Sequence, residues 1–195
     1  MSKLEKHVKC EITLSFEKNI LCSGLESIFE DKIIEKERDS SVISLNSDNN
    51  ILFIENEIIF NFENFNYIFD IEDKVKKIIE IQEETDNKYK DINFEVITVH
   101  DSENSKCLSL FEATDREKKL EILFKGYTLF TKDYDENPCV VEVSPMFTME
   151  NYFYTKFLSK YNLEKKDIFE LIEEVESYLE EGFSDKIYKF INGGE

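Results

Sequence analysis

The chain has 195 residues, enough for one core or a core with a small lobe and too few for two full-sized domains. Its 43 Asp and Glu against 24 Lys and Arg leave a formal net charge of −19, which repels free duplex and anionic membrane alike. Apolar residues make up 41%, with 17 Phe and 9 Tyr, and that content excludes a disordered chain.

No apolar run approaches the ~20 residues that span a bilayer, and MSKLEKHVKCEITL lacks the apolar block of a secretory signal, so a cytoplasmic protein is expected. Cys10, Cys22, Cys107 and Cys139 lie far apart, form no Cys-x-x-Cys pair and have only His7 and His100 as imidazole partners. Buried thiols are expected rather than a zinc site.

In chain order, alternation over 8–16 predicts a strand, and Leu25, Ile28, Phe29 and Ile33 predict a helix over 24–37. The runs SVISL, ILFI, EIIFNF and NYIFDI, broken by Asn, Asp and Ser, predict an antiparallel meander over 41–70. Val75, Ile78 and Ile79 predict a helix over 71–84, and QEETDNKYKD reads as an exposed linker. INFEVITV is a buried strand, followed by a helix capped by Asp101 or Ser102 and running to about 123, with a break near Thr114-Asp115. GYTLF, entered through Gly126, and CVVEV are strands; Met146 to Tyr161 reads as helix, as does 164–181, stopping at Gly182 before a short last helix. Strands alternating with helices predict an α/β layer with a parallel core, divided into an α/β domain over 1–145 and a helical extension over 146–195 packed on it.

Phosphate-binding glycine loops and a Gly-x-Ser-x-Gly elbow are absent from the sequence, so nucleotide hydrolysis by this chain alone is not expected. With 43 acids most carboxylate pairs arise by chance. Asp133 and Asp135 have better context, following a strand at the edge where open α/β sheets bind ligands. There, alternate carboxylates can share a Mg²⁺; the other reading is an ordinary acidic turn. Thr148 is placed to cap a helix that Glu150 favours electrostatically; alternatively Glu150 and Asn151 hold the Asp133–Asp135 loop around a metal.

The run Asp133-Tyr134-Asp135-Glu136-Asn137-Pro138, followed by Val143-Ser144-Pro145-Met146-Phe147-Thr148-Met149-Glu150-Asn151-Tyr152, resembles a TOPRIM-like family of bacterial defence-associated proteins of the PARIS nuclease-effector type. In that family a strand ends in an Asp-x-Asp-Tyr/Phe-Asp loop, and a Tyr-Ser-Ile-Glu-Asn-Tyr element opens a helix. The likeness spans about residues 92–158. It implies a TOPRIM-like α/β fold with a mostly parallel sheet, antiparallel additions at 41–70 and a helical C-terminal extension. It also implies Mg²⁺ held by Asp133 and Asp135 with Glu55 as third ligand, Glu150 joining the catalytic set, and Asn151 and Tyr152 in support. The first-strand Glu of the family has two counterparts: Ser23 in NILCSGLESIF, with Gly24 retained and Ser27 for the Asp, or Glu55 in ILFIENE without the Gly.

A nuclease with this charge needs a basic groove or a basic partner. The lysines form three scattered groups, Lys74, Lys76 and Lys77; Lys118, Lys119 and Lys125; and Lys156, Lys160, Lys165 and Lys166, which read as solvated faces. Two functions are therefore expected as alternatives. One is a subunit of an anti-phage defence complex beside an ATPase of ABC or OLD type, with a Mg²⁺-dependent nuclease site that is active, degenerate or completed on assembly. The other is a non-catalytic acidic binding protein, an immunity protein or phage-encoded inhibitor, whose carboxylates imitate phosphates and block a basic nucleic-acid enzyme.

Overall fold

A computed structural model of the chain describes residues 5–30, 32–36, 40–101, 110–121, 124–133, 135–146, 152–163 and 167–191. In chain order the elements are β1 (Glu5–Phe16), α1 (Leu25–Ile28), β2 (Ile33–Lys36), β3 (Ser40–Ser44), β4 (Asn50–Ile54), β5 (Glu57–Phe62), α2 (Asn66–Asp70) and α3 (Glu72–Glu84). They continue with β6 (Tyr89–Asp101), α4 (Asp115–Lys118), β7 (Tyr127–Lys132), β8 (Pro138–Pro145), β9 (Tyr152–Asn162), α5 (Ile168–Ser177), a π-helical segment (Tyr178–Phe183) and α6 (Ser184–Ile191). The strands bond in the order β2-β3-β4-β5-β1-β6-β9-β8-β7.

This sheet corrects the expected fold class. Strands β1 and β5, β2 and β3, β3 and β4, β4 and β5, β7 and β8, and β8 and β9 all pair antiparallel, so the mostly parallel TOPRIM-like sheet is not the fold of this chain. Connection length gives the physical reason. A parallel neighbour needs a crossover of a dozen or more residues, whereas only residues 133–137 separate β7 from β8 and residues 146–151 separate β8 from β9.

The chain divides into two compact units, one of Met1–Val8, Val96–Ser159 and Glu173–Glu195, the other of Lys9–Glu95 and Lys160–Ile172. In the second unit, period-2 alternation buries Cys10, Ile12, Leu14 and Phe16 of β1 and Ile58, Phe60 and Phe62 of β5, with Ile12 opposite Phe60 across the ladder. The meander is as expected over β3 to β5, but NYIFDI forms α2 rather than a fourth strand: Phe65 and Ile68, three apart, are both fully buried. The helix expected over 24–37 is one turn. Leu25 and Phe29 are buried at its two ends, and Ile33–Lys36 instead pairs with β3 as an outer strand.

QEETDNKYKD is exposed over 83–86 and at 88 and 90, but it closes α3 and opens β6 and carries two buried amides. Gln82 closes α3 fully buried, with Oε1 accepting from the Leu21 N–H at 2.8 Å and Nε2 donating to the Leu21 carbonyl at 2.9 Å. Asn87 repeats the arrangement: its Oδ1 accepts from the Lys18 N–H at 2.8 Å and its Nδ2 donates to the carbonyls of Lys18 and Asn19 at 3.1 and 3.2 Å. Two side-chain amides thus supply the partners that the irregular backbone of 18–21 would otherwise lack.

In the first unit, β7 to β9 alternate in the same way. Cys139, Val141 and Val143 of β8 and Phe153, Thr155 and Phe157 of β9 turn to the buried face, where Phe157 packs on Tyr178 and Phe183 with ring centres 6.1 and 5.6 Å apart. The helix expected over 146–161 is therefore a strand from Tyr152 onward; Phe153, Thr155 and Phe157 are buried at every second position and Tyr152 and Tyr154 lie between them, a composition that suits a pleated surface. The strand after Gly126 stands at the end of the strand order. Gly126 itself is needed, since a Cβ there would sit 2.3 Å from Ser144 Oγ and 3.0 Å from the Val143 carbonyl. The break expected near Thr114 is a new start: Thr114 caps α4 reciprocally with Glu117, whereas 102–109 lie outside the described residues. Gly182 does not stop the last helix, which widens into the π segment and continues as α6.

Candidate functional site

The two aspartates occupy the turn of the β7–β8 hairpin, in the first unit. Asp133 is only 5% exposed, and its Oδ1 accepts the backbone N–H groups of Asp135 and Asn137, each at 2.9 Å. Its own N–H donates to the Asn137 carbonyl at 3.0 Å, and Glu136 takes a left-handed φ of 60° to close the turn. This is the side-chain-to-backbone chemistry for which Asp is favoured in turns. Asp135 is exposed at the tip, so one carboxylate is spent on backbone amides and the other faces solvent.

Glu55 belongs to the other unit. It is exposed in the two-residue β4–β5 turn at φ 49°, with its carbonyl accepting from the Ile20 N–H at 2.7 Å. Ser23, Gly24 and Ser27, the other counterpart of the family's first motif, form the turn into α1, where Gly24 has φ 90° and Ser27 donates to its carbonyl. Tyr152 opens β9 and does not enter a helix; its carbonyl accepts from the Met146 N–H at 3.0 Å. Thr148, Glu150 and Asn151 lie outside the described residues. Among the described residues no group of three His, Cys, Asp or Glu is placed to hold a metal.

The hairpin turn is tied to the helical layer of its own unit. The Lys132 carbonyl accepts from Tyr178 Oη at 3.4 Å and from Lys186 Nζ at 3.3 Å, and Lys186 also lies over the Tyr178 ring, 5.0 Å from its centre. Burial pushes the Cys139 thiol up to about 11, helped by the Asp133 charge and opposed by Lys186. Cys10 and Cys139 are buried, as expected of core thiols, whereas Cys22 is half-buried and Cys107 lies outside the described residues.

Charge gathers elsewhere. On α5 and the π segment, Val175, Tyr178, Leu179 and Phe183 are buried, while Glu173, Glu174, Glu180 and Glu181 are exposed along the opposite side. Among the described residues no lysine pairs with Glu173, Glu180 or Glu181. Glu176 sits half-buried between these faces, and its carboxyl is held above the usual range first by burial, then by the charges of Glu180 and Glu173. The acid-apolar alternation of the tail was legible in the sequence.

Several lysines of the three groups are matched locally, Lys76 by Glu72, Lys125 by Glu117 and Lys160 by Asp91, in keeping with solvated faces. The second unit carries a cavity of about 590 Å³ lined by Glu17, Glu83, Asp91, Lys88, Lys90 and Tyr89 among others, in which both signs of charge are present. The Tyr89 phenol there is pushed up by burial, then by Glu83 and Asp167. Among the described residues no helix is long and apolar enough to cross a membrane.

No protein-family model matches the chain, and no curated protein matches its sequence.

Proposed function

We propose that this chain is a non-catalytic acidic binding protein whose carboxylates stand in for nucleic-acid phosphates and occupy a basic surface of a nucleic-acid enzyme. The observation that carries the reading is the row of exposed glutamates on α5 and the π segment; the carboxyl of half-buried Glu176 beside it is raised first by burial and then by the charges of Glu180 and Glu173. The apolar side of the same helix is anchored on the sheet through Tyr178 and Phe183, so the row is held on a packed element and not on a loose tail. Like charges held together store repulsion that a basic partner relieves, and the net charge of −19 accelerates the approach of such a partner.

The alternative Mg²⁺ reading set Asp133 and Asp135 at the edge of a parallel layer; they lie in an antiparallel hairpin turn, where the Asp133 carboxylate accepts two backbone N–H groups.

The test is displacement of labelled duplex from basic nucleic-acid enzymes by the wild-type chain and by a Glu173→Lys, Glu180→Lys, Glu181→Lys variant. Displacement that weakens with salt and is lost in the variant is expected. Displacement retained by the variant refutes the proposed face. Mg²⁺-dependent cleavage of DNA or structured RNA by the wild type, abolished in Asp133→Ala with Asp135→Ala, refutes the non-catalytic role and returns the defence-effector reading.

A further inference from the structure

In the cavity of the second unit, charges of both signs stand unmatched. The cavity, of about 590 Å³, opens where three strand ends meet: Glu17 follows β1, Lys88 leads into β6, and Leu163 follows β9. Backbone bonds tie these ends together, the Glu17 N–H donating to the Lys88 carbonyl at 2.9 Å and the Leu163 N–H to the Lys90 carbonyl at 3.2 Å. Tyr89 forms an aromatic wall, its ring edge-on to buried Phe16 with centres 6.5 Å apart. Of the charged groups in the cavity, Asp91 is taken by Lys160 at 2.8 Å. Glu17, Glu83, Lys88 and Lys90 make no ion pair among the described residues, which leaves two carboxylates and two ammonium groups around one concavity. A smaller cavity of about 140 Å³ shares Glu83 and Tyr89 and shows the contrast. There the chain supplies its own cation, Lys76 Nζ, 5.3 Å from the centre of the Phe169 ring.

We infer that the larger cavity binds a small zwitterion of the α-amino-acid class, its ammonium group against Glu17 and Glu83 and its carboxylate against Lys88 and Lys90. The four unmatched charges sum to zero, so the site is locally neutral in a chain of net charge −19. That balance selects the ligand. A simple anion is repelled by the field of the whole chain, and a simple cation finds acids throughout a chain that has 43 of them; only a ligand carrying both charges uses both pairs at once. The volume falls within the range of small-molecule sites, and Tyr89 and buried Leu163 offer an apolar surface to the ligand's side chain. The Tyr89 phenol, pushed up by burial and then by Glu83 and Asp167, stays protonated at neutral pH and able to donate. No residue of the glutamate row takes part, so this site and the proposed acidic face stand or fall separately.

The experiment follows the backbone amides of the isotope-labelled full chain by NMR while each common α-amino acid is added in turn. The expected result is saturable shifts at Glu17, 88–91 and Leu163 with at least one of them. The N-acetyl derivative and the α-amide of that amino acid, each lacking one charge, should bind ~10-fold or more weakly. Glu17→Gln with Glu83→Gln should reduce affinity as strongly, and so should Lys88→Gln with Lys90→Gln. All four side chains are exposed, so circular dichroism of both variants should match the wild type and separates lost binding from lost folding. The absence of saturable shifts with every amino acid overturns the inference. Shifts that saturate elsewhere in the chain, derivatives that bind as well as their parent, or affinity unchanged in either variant overturn it too.

Discussion

Replacing Asp133 by alanine separates a structural carboxylate from a metal ligand. The side chain is buried and receives two backbone N–H groups at 2.9 Å each, so truncation strands both donors in the hairpin turn. Hydrogen bonds to a charged acceptor contribute about 1.5–3 kcal/mol each, and water readmitted at the exposed tip recovers part of that, so a net loss of about 2–3 kcal/mol is expected. For a chain of this size that corresponds to a fall in Tm of about 5–10 °C. Asp133→Asn keeps an acceptor oxygen and should lose about 1 kcal/mol, while Asp135→Ala, at the exposed tip, should stay within about 0.5 kcal/mol. Urea unfolding monitored by circular dichroism measures all three, with and without Mg²⁺. A resident metal would raise the Tm of the wild type by mass action and not that of Asp133→Ala. Equal stability of Asp133→Ala and wild type, together with such Mg²⁺-dependent stabilisation, would refute the reasoning.

Three further outcomes are expected. Glu176→Gln removes like-charge pairs at i,i+3 and i,i+4 and should stabilise the chain by about 0.5 kcal/mol at neutral pH. Because the folded carboxyl sits above its ordinary value, its favourable contribution is complete below the unfolded carboxylate range and is lost as pH rises through the folded value. The gain of the variant in Tm should therefore shrink to nothing on acidification, and a gain independent of pH would count against this origin. Gln82→Leu and Asn87→Ala each remove the partners of partly buried backbone groups at 18–21 and should cost about 1–3 kcal/mol in urea unfolding; a cost within about 0.5 kcal/mol, the range of ordinary surface changes, would show that water replaces the amides. With its thiol at about 11, Cys139 is ionised about one part in a thousand at pH 8, so iodoacetamide followed by peptide mapping should modify half-buried Cys22 well before it, and Asp133→Asn should speed the slow site.

What the sequence disclosed depended on whether one period was enough to decide. Strand β1, the β3–β5 meander, α3 and β6 each bury a single face, and their alternation or helical spacing is plain in the residues. Sheet direction was recoverable too, from the five residues between β7 and β8, but the alternation of strands and helices outweighed that count. In β9 the buried set Phe153, Thr155, Phe157 and Ser159 includes two hydroxyl residues, which conceals a period of two from a reading by hydrophobicity alone. Gln82 and Asn87 were illegible for another reason: nothing in a polar run shows which amide will be buried against a loop some sixty residues earlier. For the candidate site, the acidic-turn reading of Asp133 holds, because the hydrogen bonds that define it are local. The place of β7 at the end of the strand order is a property that no short stretch of residues carries.

The joint between Gln82, Asn87 and the loop at 18–21 is made of neutral dipoles in both directions, donor to acceptor and acceptor to donor. In a chain so heavily charged, most surface attractions rise and fall with the ions around them. These amide bonds contain no ionisable partner, and the charged contact beside them, Lys18 Nζ with Asp86, is exposed. The amides should hold equally in dilute buffer and in brine, giving the second unit an internal reference against which salt-dependent behaviour of the molecule can be measured.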